Sequence, residues 1–430
     1  MKKVIVPVIL MIALVTGSWA SVLVRVNENK VTIEKLVTEA EYNINLQVYS
    51  KAMEIYWDLI KIDPDTIDHY HNFMNLAYIT NDIKGFEKIC DMTMGSFPEN
   101  PVAYEELAKY YLQKGYYKRA QDIALTARDN VADNEQFKEL FYQAKYHYST
   151  QRGVYEEVGN YVGNYSRVKK GEYWGIVDKF GNYAIKPNYE NIGSYSKGIV
   201  PVTKNGEVYF INDNEQRVLA SIEKIDMAMP FIGGLSVIRQ GDLYGYANTR
   251  LEPKDVKWEF ATSYLNNVAA VKSEGKWALR DMERNMITEF VLDDVLYDEN
   301  LICSYSNVVF AKQGDKFYLF NINGEKVIDQ GFDDAKPFTE AGIAAVKHKG
   351  KWGFISSNGD KVIEPKYEDA HSFQIGLAPV KQNGKWKYIN SNEEVLIEGH
   401  FDDARTFSKS GFAAVKDKGL WSFIYLDSMM

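Results

Sequence analysis

The feature that most constrains the fold is one bulky apolar position that recurs throughout residues 154–430. Around it, short alternating stretches and Gly- or Asn-Gly-containing turns follow one another in the same order. The eight copies lie 33 to 40 residues apart, at Trp174, Val208, Tyr244, Trp277, Phe317, Trp352, Trp386 and Trp421. A unit of this length cannot bury an apolar face alone, so the spacing predicts an array of β-units that pack on their neighbours.

The clearest copy spans residues 342–373 and predicts four strands joined by tight turns. The first strand is followed by a turn at Gly350, and the second strand carries Trp352. Gly353 is expected to leave room for a neighbouring backbone or ring. A second turn leads to a third strand that ends at Pro365, and a short fourth strand ends at Phe373.

The Trp-Gly pair in this copy carries a family resemblance. It is intact at Trp174-Gly175 and Trp352-Gly353, whereas Trp277, Trp386 and Trp421 are followed by Ala, Lys and Ser. With the surrounding frame, these repeats resemble the WG-repeat proteins of bacteria. The resemblance implies a β-propeller-like array that is used for binding, and it implies no known reaction.

The ends of the array bear on ring closure. Residues 155–161 align without gaps on residues 367–373, whereas the chain ends after the first two strands of its eighth copy. An N-terminal strand within 155–161 could therefore complete the last blade, which would remove exposed sheet edges. We expect a closed ring of seven or eight blades over residues 154–430.

Residues 33–150 have a different, helical pattern. Pro64 and Pro98 lie one 34-residue period apart and predict the ends of helices in blocks 33–66, 67–100 and 101–134. In the third block the repeat positions are held by Tyr104, Leu107, Ala108, Tyr111, Tyr117, Ala120, Ala124 and Ala127. This pattern resembles the tetratricopeptide repeat family. We expect an α-solenoid of helical hairpins, closed by a cap helix that begins near Phe137.

In that family, one helix of each hairpin lines a concave groove for peptides. The resemblance places candidate partner-binding side chains here at Glu41, His71, Asn75, Tyr78, Glu105 and Lys109. The alternative interpretation of these positions is a solvated helix face.

Residues 1–25 contain a nearly continuous apolar run from Val4 to Val24, behind Lys2 and Lys3. The run is long enough to anchor the chain in a membrane. Alternatively, it is a signal peptide that is cleaved near Ala20. In either case the remainder of the chain is expected to be exported, either held at the cell membrane or secreted.

The sequence gives little support for an enzymatic reaction, a bound metal or cofactor, or nucleic-acid binding. Cys90 and Cys303 form no metal-binding spacing, and no catalytic motif, cofactor motif or basic block for nucleic acid is present. Acidic pairs such as Asp333-Asp334 recur at one repeat position, where turn capping explains them better than Ca²⁺ binding. A pocket for a reaction is conceivable only in residues 281–307, where the repeat lengthens to 40 residues.

These observations predict a non-enzymatic, envelope-attached scaffold with no cofactor, which binds another protein through its helical groove or its β-repeat surface. The alternative is a surface protein that binds cell-wall or host polysaccharide. The repeat Trp and Tyr residues could stack on sugars, although their fixed strand position favours packing in the core.

Overall fold

The computed structural model describes residues 30–132, 135–196, 198–218 and 224–430. The chain divides into a helical unit that ends at Lys145 and a β-unit that begins at Tyr146. The predicted membrane anchor or signal peptide, residues 4–24, lies outside the described residues. None of the helices in the described ranges is long and apolar enough to span a membrane.

The helical unit contains seven helices within the described residues. They are α1 (30–45), α2 (Tyr49–Ile62), α3 (Ile67–Ile79), α4 (Ile83–Ser96), α5 (Val102–Gln113), α6 (Tyr117–Asn130) and α7 (Glu135–Lys145). Consecutive helices pack against one another as hairpins, and the small side chains of Ala108 on α5 and Ala120 on α6 are fully buried. Pro64 and Pro98 each follow the end of a helix by two residues, because proline cannot continue the hydrogen-bond ladder.

The β-unit is an eight-bladed β-propeller. Its first strand, β1 (Tyr148–Thr150), belongs to the last blade. Blade 1 contains β2 (Glu157–Val158), β3 (Tyr165–Lys170), β4 (Tyr173–Asp178) and β5 (Tyr183–Tyr189), and blade 2 contains β6 (Asn191–Ile192), β7 (Ile199–Lys204) and β8 (Glu207–Asn212). Blade 3 contains β9 (Met227–Ala228), β10 (Leu235–Gln240), β11 (Leu243–Asn248) and β12 (Pro253–Trp258), and blade 4 contains β13 (Phe260–Ala261), β14 (Val268–Ser273) and β15 (Lys276–Asp281).

Blade 5 contains β16 (Asp294–Val295), β17 (Ser304–Tyr305), β18 (Val308–Gln313) and β19 (Lys316–Asn321), and blade 6 contains β20 (Asp334–Ala335), β21 (Ile343–His348), β22 (Lys351–Ser356) and β23 (Lys361–Tyr367). Blade 7 contains β24 (Asp369–Ala370), β25 (Ala378–Gln382), β26 (Lys385–Ile389) and β27 (Val395–Phe401). Blade 8 contains β28 (Asp403–Ala404), β29 (Phe412–Asp417) and β30 (Leu420–Leu426), followed by a short 3₁₀ helix (Asp427–Met429). All strand pairs within these sheets are antiparallel. Each blade begins with a two-residue strand, and blades 1, 3, 6 and 7 end with an outer strand of six or seven residues.

The ring is closed by the start of the β-unit. Strand β1 pairs antiparallel with β30, with Tyr148 opposite Leu426. Downstream, Tyr155 exchanges both backbone hydrogen bonds with Trp421, at 2.8 and 2.9 Å. Blade 8 therefore combines both ends of the unit, and the blade count is the larger of the two predicted numbers.

The closing strand differs from the predicted segment 155–161. Only Tyr155 of that segment pairs with the last blade, and Glu157–Val158 already opens blade 1. Tyr155 pairs with Trp421 as Tyr367 pairs with Trp352, so Tyr155 corresponds to the last residue of an outer strand. The remainder of the outer strand of blade 8 lies upstream, at residues 148–150. The helical unit accordingly ends at Lys145, before the predicted residue 150.

The role of the Trp-Gly glycine is visible in blade 6. Trp352 pairs with Tyr367 and Phe354 pairs with Ile363, so three residues of the outer strand bulge opposite Gly353. A Cβ on Gly353 would meet backbone atoms of this bulge at 2.5 to 2.8 Å. The expectation that Gly353 leaves room for a neighbouring backbone is correct, and Gly175 repeats the arrangement in blade 1.

The same bulge corrects the prediction that Pro365 ends the third strand. Strand β23 continues through Pro365 to Tyr367. Proline has no N–H to donate to the ladder, and it is tolerated here because it lies in the bulge, where the register shifts.

The repeated tryptophans lie mainly in the core. Trp277, Trp352, Trp386 and Trp421 are only 3 to 7% exposed, whereas Trp174 is partly exposed. Most of the repeat indoles therefore have no free face on which a sugar could stack.

The recurring acidic residues hold turns and link neighbouring blades. Asp293, which precedes blade 5, accepts a hydrogen bond from Gly314 N (2.7 Å) and pairs with Lys276 of blade 4 (2.5 Å). Asp402 makes the equivalent contacts with Lys418 N and Lys385. These contacts agree with the interpretation of the acidic pairs as turn caps.

Candidate functional site

Two surfaces offer binding geometry, and the first is the groove of the helical unit. A cavity of about 330 Å³ lies between α5 and α7, with Leu112 and Leu140 among its lining residues. A second cavity of about 210 Å³ lies between α3 and α5. Gln113 lines both cavities, which makes them neighbouring parts of one face.

The structure brings three of the predicted groove residues to this face. Tyr78 lines the smaller cavity and its hydroxyl donates to Gln113 Oε1 at 3.1 Å. Lys109 lines the larger cavity and pairs with Glu105. Gln136 Nε2 donates to Glu105 Oε1 at 2.6 Å, which ties α7 to α5.

The other predicted groove residues lie away from the two cavities. Asn75 and Glu41 are exposed and line neither cavity. His71 is half-buried, and burial lowers its pKa against an opposing effect from Asp68. These three side chains are solvated or packed residues rather than part of a single pocket.

The sequence pattern missed the contribution of α7 to the groove. Gln136, Glu139 and Gln143 line the larger cavity, together with Gln113 at the end of α5. Helix α7 was interpreted only as a cap for the apolar core, yet its spacing of three and four residues between these polar positions is that of one helix face.

The second surface is the centre of the propeller. A cavity of about 530 Å³ is lined by the segments that follow the two-residue strands, and all eight blades contribute to it. Its lining includes hydroxyl, amide and charged side chains from different blades, among them Ser194, Thr339, Gln374 and Lys409. The two-residue strands are therefore the inner strands of the ring.

A loop of blade 5 crosses this channel. Glu299 Oε1 accepts a hydrogen bond from Asn160 N of blade 1 at 2.8 Å, and Glu299 Oε2 pairs with Arg167 at 3.1 Å. Blades 1 and 5 lie opposite each other in a ring of eight. Asn300 binds blades 2 and 4 through Ser194 (3.0 Å) and Ser263 (2.8 Å).

This crossing loop is held in shape by the half-buried carboxylate of Asp298. Asp298 Oδ1 accepts from Asn300 N and Ile302 N, both at 2.9 Å, and Oδ2 accepts from the Tyr305 hydroxyl at 2.8 Å. Burial raises the pKa of Asp298, and these hydrogen bonds oppose the shift. The lengthened copy at 281–307 thus supplies a loop that crosses the channel, and the carboxylates of Asp298 and Glu299 are occupied by contacts within the ring.

Lys336 and His371 line the opposite wall of the channel. They follow the inner strands of blades 6 and 7, and Arg405, which does not line the cavity, holds the same position in blade 8. His371 stacks on Trp386, with ring centroids 5.2 Å apart. Burial, together with the positive charges of Lys336 and Arg405, lowers the pKa of His371 to about 3.

The lowered pKa of His371 predicts a pH-dependent stability. In the unfolded chain an imidazole has a pKa of about 6.5, so the unfolded state binds more protons between pH 6.5 and 3. Stability is therefore expected to fall as the pH drops below 6.5, by up to about 1.4 kcal/mol per pH unit from this group. Urea unfolding at pH 7.5 and 5.0 measures the effect. In the variant His371→Gln the difference between the two pH values should shrink, and an unchanged difference would contradict the assignment.

No cluster of His, Cys, Asp or Glu suited to a metal ion occurs within the described ranges. Cys90 and Cys303 are both buried, and burial raises the pKa of each thiol, which keeps them protonated and unreactive.

Comparisons with known proteins bear mainly on the propeller. The family model for the WG containing repeat matches residues 153–174, 174–207, 319–352, 352–386 and 388–421. No curated protein matches the chain. Among solved structures, a eukaryotic initiation factor is 11% identical over 65% of this chain and 87% of its own, with a TM-score of 0.44. The Sgt2 TPR domain from Aspergillus fumigatus is 17% identical over 26% of this chain and 76% of its own, with a TM-score of 0.22.

Fold and site together define a class of protein: a closed β-propeller with a polar central cavity, preceded by helical hairpins. Within that class, the propeller is built of WG-containing repeats, and the prediction of a WG-repeat protein is confirmed. Residues 208–318 lie between the matched segments and fold into blades of the same design.

Proposed function

We propose that the chain is a non-enzymatic scaffold that binds other proteins, and that its helical groove is the main binding surface. The observation that carries this proposal is the continuous face formed by α3, α5 and α7, with two adjoining cavities that share Gln113. Repeat proteins of this kind use extended concave surfaces for recognition.

The chemistry of the groove favours an extended peptide. Leu112 and Leu140 line the larger cavity beside the exposed amides of Gln113, Gln136 and Gln143. An apolar surface with hydrogen-bonding groups at its rim suits a segment that offers both side chains and backbone amides. Lys109 and Glu105 pair with each other, so the groove presents little net charge.

Site-specific photo-crosslinking in cells tests the proposal. The full-length chain carries a photoreactive amino acid at Gln113 in the groove or, as a control, at Lys118, which is exposed on α6. We expect a discrete crosslinked protein from position 113 that is absent from position 118 and reduced by Tyr78→Ala. Equal adducts from both positions, or none from either, would contradict the proposal.

The envelope location is part of the proposal and is supported by the apolar run at residues 4–24. Cell fractionation should recover the chain with membranes, and deletion of residues 4–24 should release it. Recovery of the intact chain in the cytoplasmic fraction would refute this part.

An alternative is polysaccharide binding, which is favoured by one group of exposed aromatics. In blade 1, Tyr173, Phe180 and Tyr183 are 47, 65 and 39% exposed. Such rings can stack on sugars. Sedimentation with insoluble cell-wall glycan distinguishes this alternative, since binding should disappear in the variant Phe180→Ala; sedimentation no greater than that of an unrelated protein would exclude it.

A further inference from the structure

Three successive blades carry a lysine, a histidine and an arginine at the same repeat position beside the channel. Lys336, His371 and Arg405 each directly follow a two-residue inner strand. Each lies on the repeat tryptophan of its own blade: Lys336 Nζ is 4.9 Å from the Trp352 ring centroid, and the Arg405 guanidinium is 4.7 Å from that of Trp421. The three groups therefore point to the same side of their blades.

The basic character is confined to these neighbouring blades. In blades 1 to 5 the equivalent position is uncharged, and it is held by Gly159, Gly193, Met229, Thr262 and Leu296. In blade 1, Arg167 of β3 lies over Trp174 instead, in the space above Gly159. The arc of basic groups thus continues from blade 6 through blade 8 to blade 1.

Within the part of the chain that the structure describes, no carboxylate pairs with Lys336, His371 or Arg405. Arg405 donates one hydrogen bond, to Val158 O at 2.7 Å. Burial lowers the pKa of Arg405, and the more distant carboxylates Glu299, Asp403 and Glu157 offset this only partly. The positive charges of Lys336 and Arg405 are therefore partly buried without a carboxylate partner, which is unfavourable, and an anion beside them would relieve the cost. His371, whose pKa of about 3 keeps it neutral near pH 7, can offer a ring N–H rather than a charge.

The arc already binds one carboxylate at its end. Glu299 of the crossing loop reaches Arg167 and Asn160 N and does not pair with the other basic groups. Beside them, the central cavity of about 530 Å³ is lined by Lys336 and His371. Pockets of this size hold small ligands and use a few polar groups to orient them.

We propose that Lys336 and His371, with Arg405 beside them, form a binding site for an oxyanion, the carboxylate or phosphate group of a small ligand in the central cavity. This site is separate from the helical groove and does not depend on the scaffold proposal. Arginine and lysine are the side chains that bind such groups with charge-assisted hydrogen bonds.

Calorimetric titration of the full-length chain at low ionic strength tests the site with two probes, succinate and inorganic phosphate. We expect saturable binding of at least one probe, and the tighter probe identifies the group. Lys336→Gln should weaken that binding at least tenfold. The matched control is Lys347→Gln, because Lys347 also lies over Trp352 (5.8 Å) but does not line the cavity.

Arg405→Lys keeps the charge and should retain binding better than Lys336→Gln does. Absence of saturable binding for both probes would overturn the proposal, and so would equal weakening by Lys336→Gln and Lys347→Gln. Circular dichroism and thermal unfolding of each variant establish that the propeller is folded. The Lys336 ammonium group makes no hydrogen bond or ion pair within the described residues, and the backbone bond from Lys336 N to Ala345 O (2.9 Å) is kept in the variant, so the fold should be retained.

Discussion

Replacement of Asp255 by Asn is expected to lower the free energy of unfolding by about 3–5 kcal/mol. Asp255 lies in the bulge of the outer strand of blade 3, and its Oδ2 pairs with Arg280 Nη1 of blade 4 at 2.5 Å. Arg280 is only 2% exposed. The variant would leave the Arg280 charge buried beside Trp258 without a carboxylate partner.

The exposed pair Glu207–Arg217 of blade 2 supplies the matched control. Both of its side chains are more than half exposed, so Glu207→Gln should change stability by less than about 1 kcal/mol. Chemical denaturation of the three proteins measures the difference. Equal effects of Asp255→Asn and Glu207→Gln would show that the Asp255–Arg280 pair does not hold blades 3 and 4 together.

The pH dependence of stability gives a second readout for Asp255. Burial alone would raise its pKa, but Arg280 and Lys257 together hold the pKa below its ordinary value. The contribution of Asp255 is therefore present above the unfolded pKa of about 3.9 and is lost as the pH falls through the lower folded value.

Replacement of Gly353 by Ala should destabilise the propeller by about 1–3 kcal/mol, although alanine is normally preferred to glycine in a strand. The added methyl group would meet the backbone oxygen of Ile363 at 2.5 Å and the nitrogen of Pro365 at 2.6 Å. Backbone atoms in a bulge cannot move aside as a flexible side chain can. Gly175→Ala in blade 1 should give a similar loss for the same reason.

The control for Gly353 is provided by blade 7, where Lys387 follows Trp386 at the same repeat position. In blade 7 the glycine lies on the outer strand instead: Gly399 is in the bulge, between the partners of Trp386 and Tyr388. The residue after the tryptophan can therefore carry a side chain. Lys387→Ala should therefore be nearly neutral. Loss of stability in Lys387→Ala equal to that in Gly353→Ala would contradict the steric explanation.

Much of the propeller could be predicted because each blade repeats local signals. The eight copies of the Trp-equivalent position predicted seven or eight blades, and Gly353 was correctly interpreted as a site of close approach. The exact closing strand was not predictable in the same way. Residues 148–150 carry no repeat signal of their own, and their pairing with β30 joins the two ends of the β-unit.

The channel could not be predicted from local pattern at all. The contact of Glu299 with Arg167 joins residues 132 positions apart, and the clustering of Lys336, His371 and Arg405 depends on the curvature of the closed ring. In the helical unit, the groove prediction named Tyr78 and Lys109, which line the cavities, and Glu105, which pairs with Lys109. It missed Gln136, Glu139 and Gln143 because a cap helix has no repeat unit after it to reveal which face is concave.

The closed ring is the central claim, because both the channel and its basic wall exist only if blade 8 is completed by β1. Ser149 lies opposite Tyr425, and Cα atoms of such a pair are about 5.5 Å apart, within reach of a disulfide. The double variant Ser149→Cys/Tyr425→Cys should form this bond under mild oxidation in the folded monomer. Ser149→Cys/Asp417→Cys should not, because Asp417 lies at the far end of the β29–β30 hairpin. Failure of the first pair to crosslink, or equal crosslinking of both, would contradict the closed eight-bladed ring.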